Sequence, residues 1–420
     1  MNSAIETFYS DLRRLKEGKL AIFFGAGSSY DYGIPTMEEM AKMLIEELKN
    51  GTSKIFDKDT CTVLNSIIGL STKDSEGESK KQKNSSQWNI EDLLTRLHRI
   101  QEAIGDEGSP FPKVNATIGS SDFSKDEIKH AESKLVEFMV KCYQLDIVDK
   151  TSHGVKSIEY LSNFFECLGG FYNSISVFTT NNDLCIETAL LQLSQRPKNT
   201  QKKTFYLIDG FSHGALPIFS MTNFSIVPPT QSNRVVVYLW KLHGSIDWTY
   251  TCPLTDNEDE KTENTKFHDD SIICRYIDPD MWRKFQKAGA ISKASSLDQS
   301  KIMIFPTPSK YSQTYNNPYM DLYQAFRRTL ETCELLLAVG TSFPDSHINS
   351  AVKSFINRDN TQLYVVDPEV TCESIHKLFG KCNSIQPIIK SGFKDFIQEV
   401  RNIELMREKE SPKEGRDNNE

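Results

Sequence analysis

Five short polar segments of this chain carry residues whose types and spacing suit chemistry. Gly25-Ala26-Gly27-Ser28-Ser29 follows the apolar run Leu20–Phe24, and Gly33-Ile34-Pro35 comes shortly after. Bare backbone at such a turn lets N–H groups approach an oxygen anion, and a helix beginning there adds partial positive charge. Thr179-Thr180-Asn181-Asn182-Asp183 ends a second apolar run. Two amides and a carboxylate at a strand end need partners, either a ligand or an Asx turn that caps the next helix. Leu242-His243-Gly244 puts an imidazole at a third strand end. An imidazole exchanges protons near neutral pH, although a lone histidine is more often structural. Gly340-Thr341-Ser342 offers two hydroxyls and a backbone nest for phosphate or ribose. Asp367 closes a late strand, where a carboxylate accepts from a ribose diol or caps a turn.

These segments need a frame that brings them together. The runs Leu20–Phe24, Ser174–Thr179, Arg234–Leu242, Glu334–Val339 and Thr361–Val366 are short, apolar and often continuous, as expected of strands buried on both faces of a parallel sheet. Amphipathic helical stretches alternate with them. The expected fold is therefore α/β, a doubly wound parallel sheet of Rossmann-like type. Ligands of such sheets bind beyond the C-terminal strand ends, where all five segments fall. Residues from about 50 to 172 read as a helical insertion, and about 250 to 300 as an irregular one. Residues 1–404 then form one domain, and the charged residues 405–420 read as a disordered tail.

Composition narrows the function. The 420 residues carry a net charge of -8, which disfavours direct nucleic-acid binding by this chain, since phosphate contacts need clustered cations. The opening MNSAIETFYSDLRRLKEGK is amphipathic and charged, unlike a secretion signal, and no apolar run approaches a membrane span. The nine cysteines are scattered singly, which fits a cytoplasmic chain better than a disulfide framework. No CxxC occurs, so a four-cysteine zinc ribbon has no ligands and no metal is expected. The glycine segment lacks both the GK[ST] of a triphosphate-binding loop and the third glycine of GxGxxG.

As an ordered set, GAGxS…GIP, TxNxD, LHG and GTS resemble the sirtuin-like NAD-binding fold over residues 19 to 368. The resemblance implies roles. Gly25, Ala26, Gly27 and Ser28 would hold the pyrophosphate of NAD+, Thr341 and Ser342 its phosphate and adenosine side, and Asp367 the adenosine ribose. Asn181 would meet the nicotinamide ribose and place a water, Asp183 would bind near the carboxamide, and His243 would be the general base. The departures fall on the acyl-peptide side. Protein-deacylating sirtuins follow GIP with Asp-Phe-Arg, where this chain has Thr36, Met37 and Glu38, and they carry glutamine where it has Thr180. Their zinc ribbon is missing. The chain looks most like bacterial sirtuin-like effectors of antiphage defence, which hydrolyse NAD+ to nicotinamide and ADP-ribose. That likeness implies NAD+ as substrate, a homo-oligomer, and an activating partner such as a HerA-family ring ATPase or an Argonaute-like protein. A protein deacylase, or a non-catalytic NAD+ or ADP-ribose sensor controlling assembly, are the rival expectations.

Overall fold

A computed structural model describes residues 3–50, 54–73, 90–104, 116–118, 121–144, 153–196, 203–213, 217–226, 233–251, 272–275, 297–303 and 318–410. In chain order it begins with helix α1 (Ser3–Arg14), strand β1 (Leu20–Phe24) and a 3-10 helix (Ala26–Tyr32). Helices α2 (Met37–Asn50), α3 (Lys58–Lys73) and α4 (Ile90–Ala103), strands β2 (Ala116–Ile118) and β3 (Ser121–Phe123), and α5 (Lys125–Tyr143) follow. Next come α6 (His153–Phe171), β4 (Ser174–Thr179), α7 (Cys185–Ser194), β5 (Thr204–Ile208), β6 (Arg234–Lys241), β7 (Gly244–Thr251), β8 (Ile272–Arg275) and β9 (Leu297–Met303). The last elements are α8 (Tyr319–Thr332), β10 (Leu335–Val339), α9 (Ser346–Ile356), β11 (Gln362–Val366), α10 (Cys372–Phe379) and α11 (Phe393–Glu410).

The chain divides into two compact units, Met1–Gly33 with Leu145–Met303 and Asn317–Glu420, and Ile34–Gln144 with Ile304–Asn316. The first unit is built on a six-stranded parallel sheet in the order β11-β10-β1-β4-β6-β5. This is the doubly wound α/β sheet that the alternation of strands and helices predicts. Every residue of β1 and β10 is buried, as their unbroken apolar sequences require. Aromatic rings fill the space under the helices. Phe178 stacks on Trp240 at 4.6 Å between centroids, and Phe326 of α8 meets Phe23 at 5.7 Å and Phe178 at 4.9 Å. Each such ring removed from water contributes roughly 1.5–3 kcal/mol. Helix α11 packs through Phe396 on Phe8 of α1 and through Phe393 on Phe164 of α6.

A second sheet in this unit, antiparallel in the order β8-β7-β9, starts directly from the first. Only Leu242 and His243 separate β6 from β7. The strand end at His243 is legible in the sequence, whereas the strand that resumes at Gly244 in a new sheet is not, because nothing local to SIDWTYT specifies its antiparallel partners. Helix α11 likewise runs to Glu410, six residues past the boundary expected for the tail. Arg407, Glu408, Lys409 and Glu410 are charged but are strong helix formers, so charge alone misleads there. The remaining tail positions, and the acidic 253–270 stretch, lie outside the described residues.

The second unit is helical, with the short β2–β3 hairpin leading into α5. Ser124 caps α5 through a capping box with Glu127. Asp57 caps α3 by accepting from the Thr60 N–H at 2.8 Å, and its other oxygen lies 2.7 Å from His130 Nε2 of α5. Among the described residues, no helix is long and apolar enough to cross a membrane.

Candidate active site

The register of the parallel sheet sets the geometry. Val366 pairs with Val339, Val339 with Phe24, Phe24 with Thr179, and Thr179 with Lys241. These five residues form one row across the sheet. Each is the last residue of its strand, or nearly so, and each is followed by one of the polar segments. Asp367, Gly340-Thr341-Ser342, Gly25–Ser29, Thr180–Asp183 and Leu242-His243-Gly244 therefore emerge side by side at the C-terminal edge. The chain enters this sheet at β1 and adds strands on both sides of it, so the row straddles the point where a doubly wound sheet opens a ligand crevice.

The glycines let two of these loops touch. A Cβ on Gly25 would lie 2.6 Å from both Gly340 O and Thr341 Cβ, and one on Gly27 would lie 3.0 Å from Gly340 Cα. Gly340 itself has φ +63°, and a Cβ there would meet Ser28 N at 2.1 Å. Gly25 N–H donates to Val339 O and Gly27 N–H to Gly340 O, both at 2.9 Å, while Ser28 N–H donates to Gly25 O at 3.0 Å. The glycine segment was expected to present bare N–H groups to a phosphate at a helix start. Instead these three N–H groups bond within the protein, and the helix is a seven-residue 3-10 turn. Ala26 is exposed and Gly27 half-buried at the loop crest, whereas Ser28 and Ser29 are buried.

Asn181 joins this crest to the β4 loop. Its Nδ2 donates to Gly25 O at 2.9 Å, Ser29 Oγ at 3.0 Å and Ser28 Oγ at 3.2 Å, and its backbone N–H donates to Thr179 Oγ1 at 2.9 Å. The side chain is only half-buried, so the fixed amide borders accessible space. Its neighbour Asn182 is buried. With its amide nitrogen facing the β6–β7 turn, Asn182 donates to His243 O at 3.0 Å and Gly244 O at 3.2 Å, while its own carbonyl accepts from Ile246 N–H at 3.0 Å. Asp183 is buried at the start of α7, its Oδ1 accepting from Cys185 N–H at 2.9 Å, which is an Asx turn. Burial, reinforced by the Asp183 carboxylate, pushes the Cys185 thiol well above its ordinary range.

His243 is 4% exposed. Its Nε2 lies 3.7 Å from Asp345 Oδ2, and its ring centroid is 6.0 Å from that of His347. Beneath it, Lys241 is 3% exposed and reaches back to α7, bonding the Asp183 carbonyl and, at 2.9 Å, Glu187 Oε1. Burial raises the Glu187 carboxyl, and the Lys241 ammonium acts in the opposite direction. The β4 and β6 segments are thus bound together by Asn182, by Lys241 and by Leu242 N–H donating to Thr179 O at 2.8 Å.

On the β10 side, Thr341 is buried and its Oγ1 accepts from Phe343 N–H at 3.0 Å, whereas Ser342 is exposed. Phe343 has φ +57°, a left-handed conformation costly for a bulky residue, and its ring is held between Phe23 and Phe379. Asp367 Oδ1 accepts from Glu369 and Val370 N–H at 2.8 and 3.0 Å, closing its own turn. Asn181, Gly25, Gly27, Ser28 and Thr341 thus form one continuous knot. Asp183 and Asp367 sit at the same edge, each with its Oδ1 engaged by the turn that follows it. Asn182, Lys241 and Asp345 were not singled out by sequence. Asn182 carried a signal, as the buried member of an Asn-Asn pair, but it was read as a possible cap.

The class of protein is a parallel α/β fold with a polar crevice across adjacent strand ends. Residues 175–388, just over half of the chain, match the SIR2-like domain, and the chain belongs to that family. The match runs from β4 past α10; the glycine segment lies upstream of it and joins the site through Asn181 and Gly340. Three solved structures illustrate the similarity. One comes from work on the mechanism and regulation of Sir2 enzymes (14% identity, TM-score 0.41, covering 97% of this chain and 100% of that one). Another is a Sir2–p53 peptide–NAD+ complex (10%, TM-score 0.39, 97% and 100%), and a third a Sir2 homologue–NAD complex (11%, TM-score 0.37, 95% and 94%). No curated protein matches the chain. Among the described residues no group of three or more His, Cys, Asp or Glu is arranged to hold a metal ion.

Proposed function

We propose that this chain is an NAD+ glycohydrolase, converting NAD+ and water to nicotinamide, ADP-ribose and a proton, and that it serves as the NAD-depleting effector of a bacterial antiphage defence system. The observation that carries the reading is the knot at the strand ends, where a half-buried Asn181 amide is fixed against the glycine crest while a buried histidine stands on the next strand but one from that crest. Membership of the SIR2-like family supports a dinucleotide in that crevice, and the ordered motif set supports NAD+ in particular. Positive charge develops on the ribose as the glycosidic bond breaks. In this reading the crest and Ser342 receive the phosphates and Asp367 the adenosine ribose. Asn181 holds the nicotinamide ribose and the water, Asp183 the carboxamide, and His243 accepts the proton of the attacking water. Preorganised groups aimed at the developing charge stabilise it without reorganisation.

The near-complete burial of His243 supports a gated enzyme, closed until a partner acts. Uncontrolled NAD+ loss would kill the host cell. We propose a cytoplasmic homo-oligomer activated by a separate partner, a HerA-family ring ATPase or an Argonaute-like protein. Incubating the purified chain with NAD+ distinguishes the readings. The hydrolase releases nicotinamide and ADP-ribose without any acetylated peptide. Release that requires such a peptide would make it a deacylase, and NAD+ binding by calorimetry without nicotinamide, even with the partner present, would make it a sensor.

A further inference from the structure

We infer that Asp345 is the positioning residue for His243, forming with it an acid–imidazole dyad across the β6 and β10 loops. The inference deepens the hydrolase reading, on which its catalytic meaning rests, but the dyad itself stands on geometry. Asp345 occupies the N-cap position of α9, where an aspartate ordinarily accepts from an N–H in the first helical turn. Here its side chain makes no capping hydrogen bond. The carboxylate instead turns to the imidazole, with Oδ2 3.7 Å from Nε2, and the two side chains are 12% and 5% exposed. Such a separation is longer than a hydrogen bond. In apo enzymes catalytic contacts are commonly long and tighten when substrate is held.

The surroundings keep the imidazole in place. Asn182 grips the backbone of His243 and Gly244. His347, two residues beyond Asp345, lies alongside the His243 ring, and Tyr323 of α8 donates its hydroxyl to the His347 carbonyl at 2.7 Å. The strained Phe343, whose carbonyl accepts from Asn349 Nδ2 at 2.9 Å, fixes the course of the loop carrying Asp345. Among the described residues, Asp345 and His347 on the β10 side face His243, while the nearby Lys241 ammonium is turned to Glu187. A carboxylate beside Nε2 favours a proton on that nitrogen. It also stabilises the imidazolium that results.

The test reads the imidazole directly. The C–H resonances of histidine are followed by NMR against pH in the wild type, Asp345→Asn and Asp345→Glu, with His243→Gln assigning the signal. Loss of the carboxylate is expected to lower the His243 midpoint by about one pH unit, and the charge-retaining glutamate is expected to return most of it. The acid limb of the kcat/KM profile for NAD+ should move to lower pH with it, kcat falling at least tenfold while KM changes little. An unchanged His243 midpoint in Asp345→Asn, or a shift that Asp345→Glu fails to reverse, overturns the dyad. A reversible shift in a protein that releases no nicotinamide, with or without partner, upholds the dyad and overturns the hydrolase reading alone.

Discussion

At the residue scale the site depends on a few side chains whose loss should be felt in chemistry and hardly in folding. His243→Ala removes the proposed base, and general-base help is typically worth about 10²–10⁴-fold. Nicotinamide release should fall by that order, with unfolding midpoints within a few degrees of the wild type. Asn182→Ala belongs to a different class. It deletes the amide that donates to the His243 and Gly244 carbonyls of the buried β6–β7 turn. A cost of about 1–3 kcal/mol follows, read by urea denaturation, together with lowered turnover because the β6–β7 turn loosens. The types at these positions were legible in sequence, since a polar cluster ending an apolar strand needs a reason. Their division of labour was not. Asn182 supports the turn of His243 while Asn181 supports the crest, and only the pairing of strands β4 and β6 separates the two roles.

At the scale of elements, the closeness of two loops is the feature most exposed to substitution. Gly340→Ala forces a side chain into a left-handed position and against the Ser28 backbone, 2.1 Å away. It should destabilise by more than about 1 kcal/mol and should also weaken NAD+ binding measured by calorimetry. Lys241→Met strips the cation from the half-buried Glu187. Breaking such a pair by one partner costs roughly 3–5 kcal/mol, measurable as a fall in unfolding free energy. In the helical unit, the Thr60 N–H and then His130 hold the Asp57 carboxyl down to about 2. A depressed carboxyl stabilises above its ordinary value and ceases to as pH falls through the folded one. Asp57→Ala should therefore lose stability at neutral pH, by about 0.5–2 kcal/mol for a lost cap, and the gap from wild type should close as pH falls below about 4 towards about 2. Strands were readable because runs such as LAIFF and LLLAV are too short for a buried helix and end at glycine turns, which fits a sheet covered on both faces. The contact of Gly25 with Gly340 was not, because nothing local to either segment specifies the other. Asp345 was missed because an aspartate before SHINSAV reads as an ordinary cap.

For the whole molecule, the sheet order β11-β10-β1-β4-β6-β5 turns five segments scattered from residue 25 to 367 into one edge. That convergence was expected from strand ends alone, while the order that makes the segments neighbours emerges only from pairing. The second sheet continuing from β6, and helix α11 running to Glu410, were not anticipated, since both follow packing rather than local composition. Gating belongs to this scale. If the site is held closed until a partner acts, the purified chain should elute as a homo-oligomer with low NAD+ turnover, rising when the proposed partner is added. A monomer fully active alone would remove the need for a partner. The measurement bearing most directly on the central claim is chromatographic analysis of NAD+ incubated, with that partner present, with the wild type and with the Asn181→Ala/His243→Ala double variant. The account predicts equal amounts of nicotinamide and ADP-ribose from the wild type and almost none from a folded double variant. NAD+ consumption by the double variant at the wild-type rate would contradict it.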